Sequence, residues 1–248
     1  MVIPRTFESQ RTSGNAKKET VHEEAKAPSP AEGPPPDPPV PSAPVQPIRH
    51  SVVVRVFNPD GSPISFGNAI FFGPKEKPTI QELQSGKAEL ELSPGPARVV
   101  ILPMSPALAI GHVDTSETKS PSELRAILQK GTSVRGVVLD MLGRPVANAS
   151  VTVKLTFPAS AGVVTEKKAY LQGYESRAFG SRPILTVSSS EVGILVSTSE
   201  SGEFQVDQLP RGAVKVIASQ AIGGHTEMQV TVPSPNETIE IRLPKATR

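Results

Sequence analysis

The sequence predicts an all-β protein: two tandem seven-stranded, Greek-key-like β-sandwiches preceded by a disordered, proline-rich N-terminal segment. Three observations lead to this prediction. The 248 residues include 27 Pro and 19 Gly, which is typical of a chain with many turns. After Arg49 the chain consists of short runs in which polar and apolar residues alternate. The order of these runs then occurs a second time, as in a tandem repeat.

Residues 1–49 are predicted to form a disordered tether. Between Pro28 and Pro47 about every second residue is proline, and a polar stretch with charges of both signs precedes it. Such a segment cannot bury enough apolar area to offset the roughly 1–2 kcal/mol of backbone entropy that each ordered residue loses. We therefore expect an extended, polyproline-like spacer. A ligand for a proline-recognising domain is the alternative.

The second sandwich is predicted at residues 132–245. Its inward face follows from alternation: Val151, Val153 and Leu155 are separated by Thr152 and Lys154, so one face packs and the other meets water. A further prediction places Phe204 at the centre of the sandwich. The seven predicted strands are 134–139, 149–155, 192–197, 203–207, 213–219, 226–232 and 238–243.

Residues 50–130 repeat this order in a divergent copy. The turn at 60–64, Asp-Gly-Ser-Pro-Ile, matches Leu-Gly-Arg-Pro-Val at 142–146, and residues 85–102 match 201–219 around a proline-containing corner. Only about five residues separate the copies, so we expect the two sandwiches to abut. A domain of this size without a disulfide buries a small share of its surface, so the first copy should be marginally stable alone.

The second copy carries a composite motif. Val-Arg-Gly-Val-Val-Leu-Asp begins at Val134, Gly-Arg-Pro-Val follows at 143–146, Ser-Gly-Glu-Phe at 201–204 and Leu-Pro-Arg-Gly at 209–212. This pattern resembles the carboxypeptidase regulatory-like domains, which are transthyretin-like β-sandwiches close to collagen-adhesin B-type repeats and to the carbohydrate-binding-like fold. The resemblance spans most of residues 133–245 and is looser in the first copy. It implies an accessory module, because the zinc peptidase chemistry of the enzymes that name the family belongs to a separate domain.

The motif residues have structural interpretations. Gly143 and Gly202 are expected to adopt positive φ in turns, and Pro145 to set the backbone after its turn. The corner that returns the chain to the next strand involves three more residues. These are Leu209, Pro210 and Gly212.

The sequence predicts no catalytic residue, no cofactor and no metal site, and thus a protein that is not an enzyme. It has no cysteine, and its four histidines form no zinc-binding motif. The formal net charge is +2, so nothing favours nucleic acid as a partner.

The sequence also predicts no membrane span and no signal peptide, because it contains no apolar run of the required length. A start codon placed too late would hide a signal or an anchor. The resemblance nevertheless implies an extracytoplasmic or cell-envelope location.

One loop departs from the repeat. Gly61 and Gly86 are 25 positions apart, whereas Gly143 and Gly202 are 59 apart, so the second copy has an insertion at about 157–190. The insertion holds both tyrosines of the chain together with several basic side chains, a composition typical of contact surfaces. Either it contacts a protein or glycan partner, or it is an extra hairpin that packs on the sandwich. The candidate contact residues are Lys167, Lys168, Tyr170, Tyr174, Arg177, Phe179 and Arg182.

The functional prediction is a non-catalytic structural or interaction module of the cell envelope, presented on a proline-rich stalk. The alternative is an accessory domain that binds a protein or carbohydrate partner and regulates an associated hydrolase.

Overall fold

The computed structural model describes residues 48–74, 76–115, 122–158, 168–172, 183–221, 224–232 and 238–244. For Ser122, Tyr170 and Gln172 it describes the backbone only. This part of the chain contains sixteen β-strands and no helix, which confirms the predicted all-β fold.

The first sandwich consists of seven strands in two sheets. One sheet has the order β4-β1-β7 and the other the order β3-β2-β5-β6. The first and last strands, β1 and β7, pair in parallel, and the other pairs are antiparallel. The strands are β1 (His50–Phe57), β2 (Gly67–Phe72), β3 (Thr79–Glu82), β4 (Lys87–Leu92), β5 (Ala97–Pro103), β6 (Gly111–Thr115) and β7 (Ser122–Ile127).

The second sandwich has nine strands, of which seven are the predicted ones. Its sheets have the orders β13-β8-β16 and β10-β11-β12-β9-β14-β15, and β8 and β16 again pair in parallel. The strands are β8 (Thr132–Leu139), β9 (Ser150–Thr156), β10 (Ala169–Gln172), β11 (Ile184–Val187), β12 (Glu191–Ser197), β13 (Glu203–Leu209), β14 (Gly212–Ser219), β15 (His225–Val232) and β16 (Thr238–Arg242).

The two additional strands correct the expected count for this copy, and they come from the insertion. Strand β11 pairs antiparallel with β12, and β10 pairs with β11, so together they extend one edge of the larger sheet. Leu185 and Val187 of β11 are fully buried in the core of the second sandwich. The inserted strands form because their apolar side chains complete that core and because the backbone of β11 pairs with the edge of β12.

The repeat is visible in individual backbone contacts. Gly86 and Gly202 have φ values of 74° and 75°, and an added Cβ would lie 2.6 Å from the carbonyl oxygens of Val56 and Val138 respectively. The nitrogen of Val56 donates to the Gly86 oxygen at 2.7 Å, and that of Val138 to the Gly202 oxygen at 2.8 Å. Because any side chain would collide with the facing backbone, both positions require glycine.

Phe204 of β13 lies in the core of the second sandwich and is 3% exposed. It lies directly across from Gly136 in the β8–β13 register, and Ile239 flanks Gly136 on the other side. A Cβ at position 136 would lie 2.5 Å from Cε1 of Phe204. The glycine therefore leaves the space that the aromatic ring fills.

Strands β2 and β5 are buried on both faces. On the inner face, Phe71 and Ile101 belong to the core of the first sandwich. The outer-face residues belong to the same apolar cluster as the core of the second sandwich. The two predicted interiors are thus joined by one shared apolar layer. Its members from the first sandwich are Ile70, Phe72, Val100, Leu102 and Ile110.

The corresponding outer face of the second sandwich is polar. Thr152 and Lys154 of β9 pair with β14 at the positions that correspond to Ile70 and Phe72 in β2. Lys154 forms an ion pair with Glu191 at 3.0 Å and, on the adjacent strand β14, Lys215 pairs with a glutamate of β15. A face covered by ion pairs meets water, so only the first copy has an apolar outer face that another sandwich covers.

Candidate functional site

The candidate functional site is the contact between the two sandwiches, which we call the seam. It is formed by Arg98, His112 and Asp114 of the first sandwich and by Phe157, Pro158, Ser189 and Gln208 of the second.

Arg98 is the central polar residue of the seam and is 1% exposed. It lies opposite Asp114 in the β5–β6 register. Its Nε and Nη2 donate to Oδ1 and Oδ2 of Asp114 at 2.6 and 2.7 Å, which is a bidentate ion pair. A guanidinium can be buried only when its donors are satisfied, and here the carboxylate satisfies one side of it.

The other donors of Arg98 reach across to the second sandwich. Nη2 donates to the carbonyl oxygen of Pro158 at 2.7 Å, and Nη1 donates to the carbonyl oxygen of Ser189. The guanidinium carbon also lies 5.6 Å from the ring centroid of Phe157. One buried cation therefore binds a backbone carbonyl just after β9 and another in the turn between β11 and β12.

Gln208, a residue of the second sandwich, makes a second polar link between the two sandwiches. It has a φ of 63° at a β-bulge that interrupts the β13–β8 register after Val206. Its side-chain Nε2 donates to the backbone oxygens of Pro103 at 2.7 Å and Ser105 at 3.0 Å. Its backbone carbonyl accepts a hydrogen bond from the nitrogen of Ile110 at 2.8 Å. At the bulge the chain leaves the regular β13–β8 pairing, and the Gln208 side chain is directed towards the first sandwich.

His112 packs against Phe157 with their ring centroids 4.4 Å apart. Burial lowers the pKa of His112 from its ordinary value, the charge of Arg98 lowers it further, and Asp114 partly opposes both effects. The imidazole is therefore neutral at neutral pH, and the seam carries one Arg–carboxylate pair rather than two adjacent cations.

This environment predicts a pH-dependent stability. Because the folded-state pKa of His112 lies below the unfolded value, the unfolded chain gains a proton first as the pH falls below about 6.5. Stability is then lost with falling pH until the folded-state pKa is reached. We expect His112→Phe, which keeps a ring against Phe157, to lose less stability than the wild type between pH 7.5 and 5.5. Urea unfolding at both pH values measures this, and equal losses would contradict it.

The connection between the sandwiches is short and is held by backbone hydrogen bonds. Four residues, 128–131, separate β7 from β8, and Leu128 among them is buried. The nitrogen of Gly131 donates to the oxygen of Ala107 at 2.8 Å, and that of Ala109 to the oxygen of Gln129 at 2.9 Å. The sandwiches abut at a connection that has little freedom to bend.

A cleft of about 410 Å³ opens beside the seam. Its walls are segments 109–113 and 125–129 of the first sandwich and segments 155–158 and 210–213 of the second. The predicted corner residues Pro210 and Gly212 lie in this wall, and Leu209 beside them is fully buried.

The predicted contact residues lie mostly outside the described part of the chain. Lys168 is exposed just before β10, and the backbone of Tyr170 is in β10 at the edge of the larger sheet. The structure therefore places these two at one sheet edge, and the contact surface stays a prediction. Lys167, Tyr174, Arg177, Phe179 and Arg182 lie outside the described residues.

Gly143 lies in the turn after β8 with a φ of 78°, whereas Gly212, with a φ of 132°, is the first residue of β14. Pro145 forms an isolated bridge with Leu139. Within the described residues, no group of three or more His, Asp or Glu side chains is placed to hold a metal ion. Among those same residues, no helix has the length and apolarity to cross a membrane.

The seam residues belong to none of the sequence motifs, although two segments of the sequence indicate strands that are buried on both faces. The segments Ala-Ile-Phe-Phe at 69–72 and Val-Val-Ile-Leu at 99–102 are continuous apolar runs rather than alternating ones. Such runs indicate strands that are buried on both faces. Arg98 adjoins the second run, which marks it as a charge that must be paired inside the protein.

The fold and the seam define a tandem β-sandwich protein whose two sandwiches share buried contacts. No protein-family model matches the chain, and no curated protein matches it. The solved structures that it resembles include a streptococcal ancillary pilin, at 12% identity and a TM-score of 0.35, over 81% of this chain and 63% of that one. A shaft pilin of Lactobacillus rhamnosus GG matches at 7% identity and a TM-score of 0.34, over 81% and 99% of the two chains. A minor pilin of Streptococcus agalactiae matches at 14% identity and a TM-score of 0.35, over 80% and 97%. Similarity at this level carries no inference about function.

Proposed function

We propose that the chain is a non-catalytic structural or interaction module of the cell envelope, in which the two sandwiches act as one rigid body on a proline-rich stalk. The observation that carries the proposal is the buried Arg98, whose donors bind Asp114 in its own sandwich and backbone carbonyls in the other.

Domains within one chain usually move relative to each other unless their interface is large and hydrophobic. Here the interface combines the apolar outer face of β2 and β5 with two buried polar links, through Arg98 and Gln208. A rigid body of this kind suits a spacer that holds a contact surface at a set distance. The envelope location rests on the family resemblance of residues 133–245 and on the proline-rich segment.

Distance measurements on the full chain test the rigidity. The chain has no cysteine, so Glu91→Cys in β4 and Gln229→Cys in β15 give one spin label on each sandwich. Both positions are exposed. We expect a single narrow distance distribution by double electron–electron resonance. A broad or multimodal distance distribution would show that the two sandwiches move relative to each other. The proposed location has a separate test: recovery of the native protein only from the cytoplasmic fraction of its cells would contradict it.

The insertion is the proposed contact surface of this module. Its tyrosine, phenylalanine and arginine side chains offer large, rigid contact area, and its strand β10 lies at a sheet edge. Deleting the insertion would remove Leu185 and Val187 from the core, so substitutions are the better test. We expect Tyr174→Ser with Arg177→Gln to abolish cross-linking to an envelope protein or glycan with no change in melting temperature. Unchanged cross-linking would leave the insertion with a packing role only.

A further inference from the structure

We propose that the cleft beside the seam binds the free carboxy terminus of a peptide that ends in an apolar residue. This site goes beyond the proposed function and does not depend on it, since the cleft could serve a cell-envelope module or an accessory domain equally.

The charges around the cleft have one sign. The charged residues Arg125 and Arg211 line it together with the neutral His112, and no acidic side chain does. The chain as a whole is almost neutral, so this concentration of basic groups is local. A carboxylate is the complementary group, because guanidinium donors match its two oxygens.

The two arginines of the cleft differ from Arg98 in their partners. Arg98 is neutralised by Asp114 and fully buried. Arg125 and Arg211 are exposed, and neither has a carboxylate partner among the described residues. The guanidinium of Arg125 lies 4.7 Å from the ring centroid of Phe57, a cation–π contact that restricts its side chain but does not neutralise its charge. Both cations remain available to a ligand.

One part of the cleft wall is apolar and the remainder is polar. Ile110 and Leu128 contribute from the first sandwich, and Leu155 and Phe157 from the second. Each of these side chains is less than 9% exposed, and together they form the apolar part of the wall. A cleft of about 410 Å³ lies within the range of roughly 300–1,000 Å³ that is typical of ligand sites, which also favour domain interfaces.

The walls are held in place before a ligand arrives. Phe157 is packed by His112 and lies under the Arg98 guanidinium, and the adjoining Pro158 accepts a hydrogen bond from Arg98. A site whose walls are already ordered loses little entropy on binding. A peptide that ends in an apolar residue would therefore place its last side chain against the apolar part of the wall and its terminal carboxylate near the guanidinium groups of Arg125 and Arg211.

The test uses the full chain and a matched pair of probes, N-acetyl-Ala-Leu-Phe as the free acid and as the carboxy-terminal amide. We expect saturable binding of the acid by isothermal titration calorimetry and binding of the amide that is weaker by about tenfold or more. Arg211→Gln should weaken the acid about fivefold or more and leave the melting temperature unchanged, since Arg211 is exposed. Arg135→Gln removes an exposed arginine outside the cleft and serves as the control.

Four results would overturn the proposal. Equal affinity for acid and amide would leave only an apolar groove. No binding of the acid at millimolar concentration, or equal effects of Arg211→Gln and Arg135→Gln, would remove the site altogether. Octanoate that binds as tightly as the peptide acid would assign the cleft to simple aliphatic carboxylates instead of a peptide terminus.

Discussion

Phe204→Ala is expected to lower the free energy of unfolding by roughly 3–5 kcal/mol, the range for removing a large aromatic side chain from a closed core. The ring is 3% exposed and fills the space that Gly136 leaves open on the facing strand. Chemical denaturation monitored by circular dichroism measures the loss.

Two comparisons make this prediction specific. Phe66→Ala removes the same side chain where it is 63% exposed, and should change stability by less than about 0.5 kcal/mol. Gly136→Ala should cost about 1–3 kcal/mol in the wild type through overpacking, but less in the Phe204→Ala background, where the ring is gone. Additive costs in this double-mutant cycle would show that the ring and the glycine do not share the space.

Arg98→Met is expected to destabilise the chain by about 3 kcal/mol. Methionine keeps the aliphatic stem but removes the hydrogen bonds that Arg98 donates to the carbonyls of Pro158 and Ser189 and its ion pair with Asp114. Asp114 is 32% exposed and can recover some hydration, which limits the cost. Because the lost contacts join the two sandwiches, the unfolding transition should also broaden or split in two.

Arg55→Met is the matched control for this prediction. It breaks another arginine–carboxylate pair, Arg55 with Glu123 at 2.8 Å, on the solvent side of the same sandwich. Exposed pairs contribute about 1 kcal/mol or less, so the control should remain close to the wild type. If both variants are equally stable, the buried seam does not hold the sandwiches together.

Most of the strand architecture was predictable from local pattern. The alternation of Val151, Val153 and Leu155 with Thr152 and Lys154 depends only on which side of a strand each residue occupies. The interior positions of β9, β13 and β14 are buried, whereas Met228 and Ile239 of β15 and β16 are only partly so.

The two extra strands were harder to predict. Strands β10 and β11 have four residues each, too few for a period to be distinguished from chance. They form because β12 presents an unpaired edge and the core of the second sandwich has room for Leu185 and Val187. Neither condition can be read within the insertion itself.

By itself, the sequence determined the all-β class, the order of the repeat and the faces of most strands, because these follow from alternation and from turn residues that are near one another in the chain. Only the tertiary structure decided that Arg98 and Gln208 join the sandwiches and that His112, Arg125 and Arg211 meet at one cleft. The physical reason is distance along the chain. Arg98 and Ser189 are 91 positions apart, and no local periodicity encodes which buried carbonyl a buried cation will find.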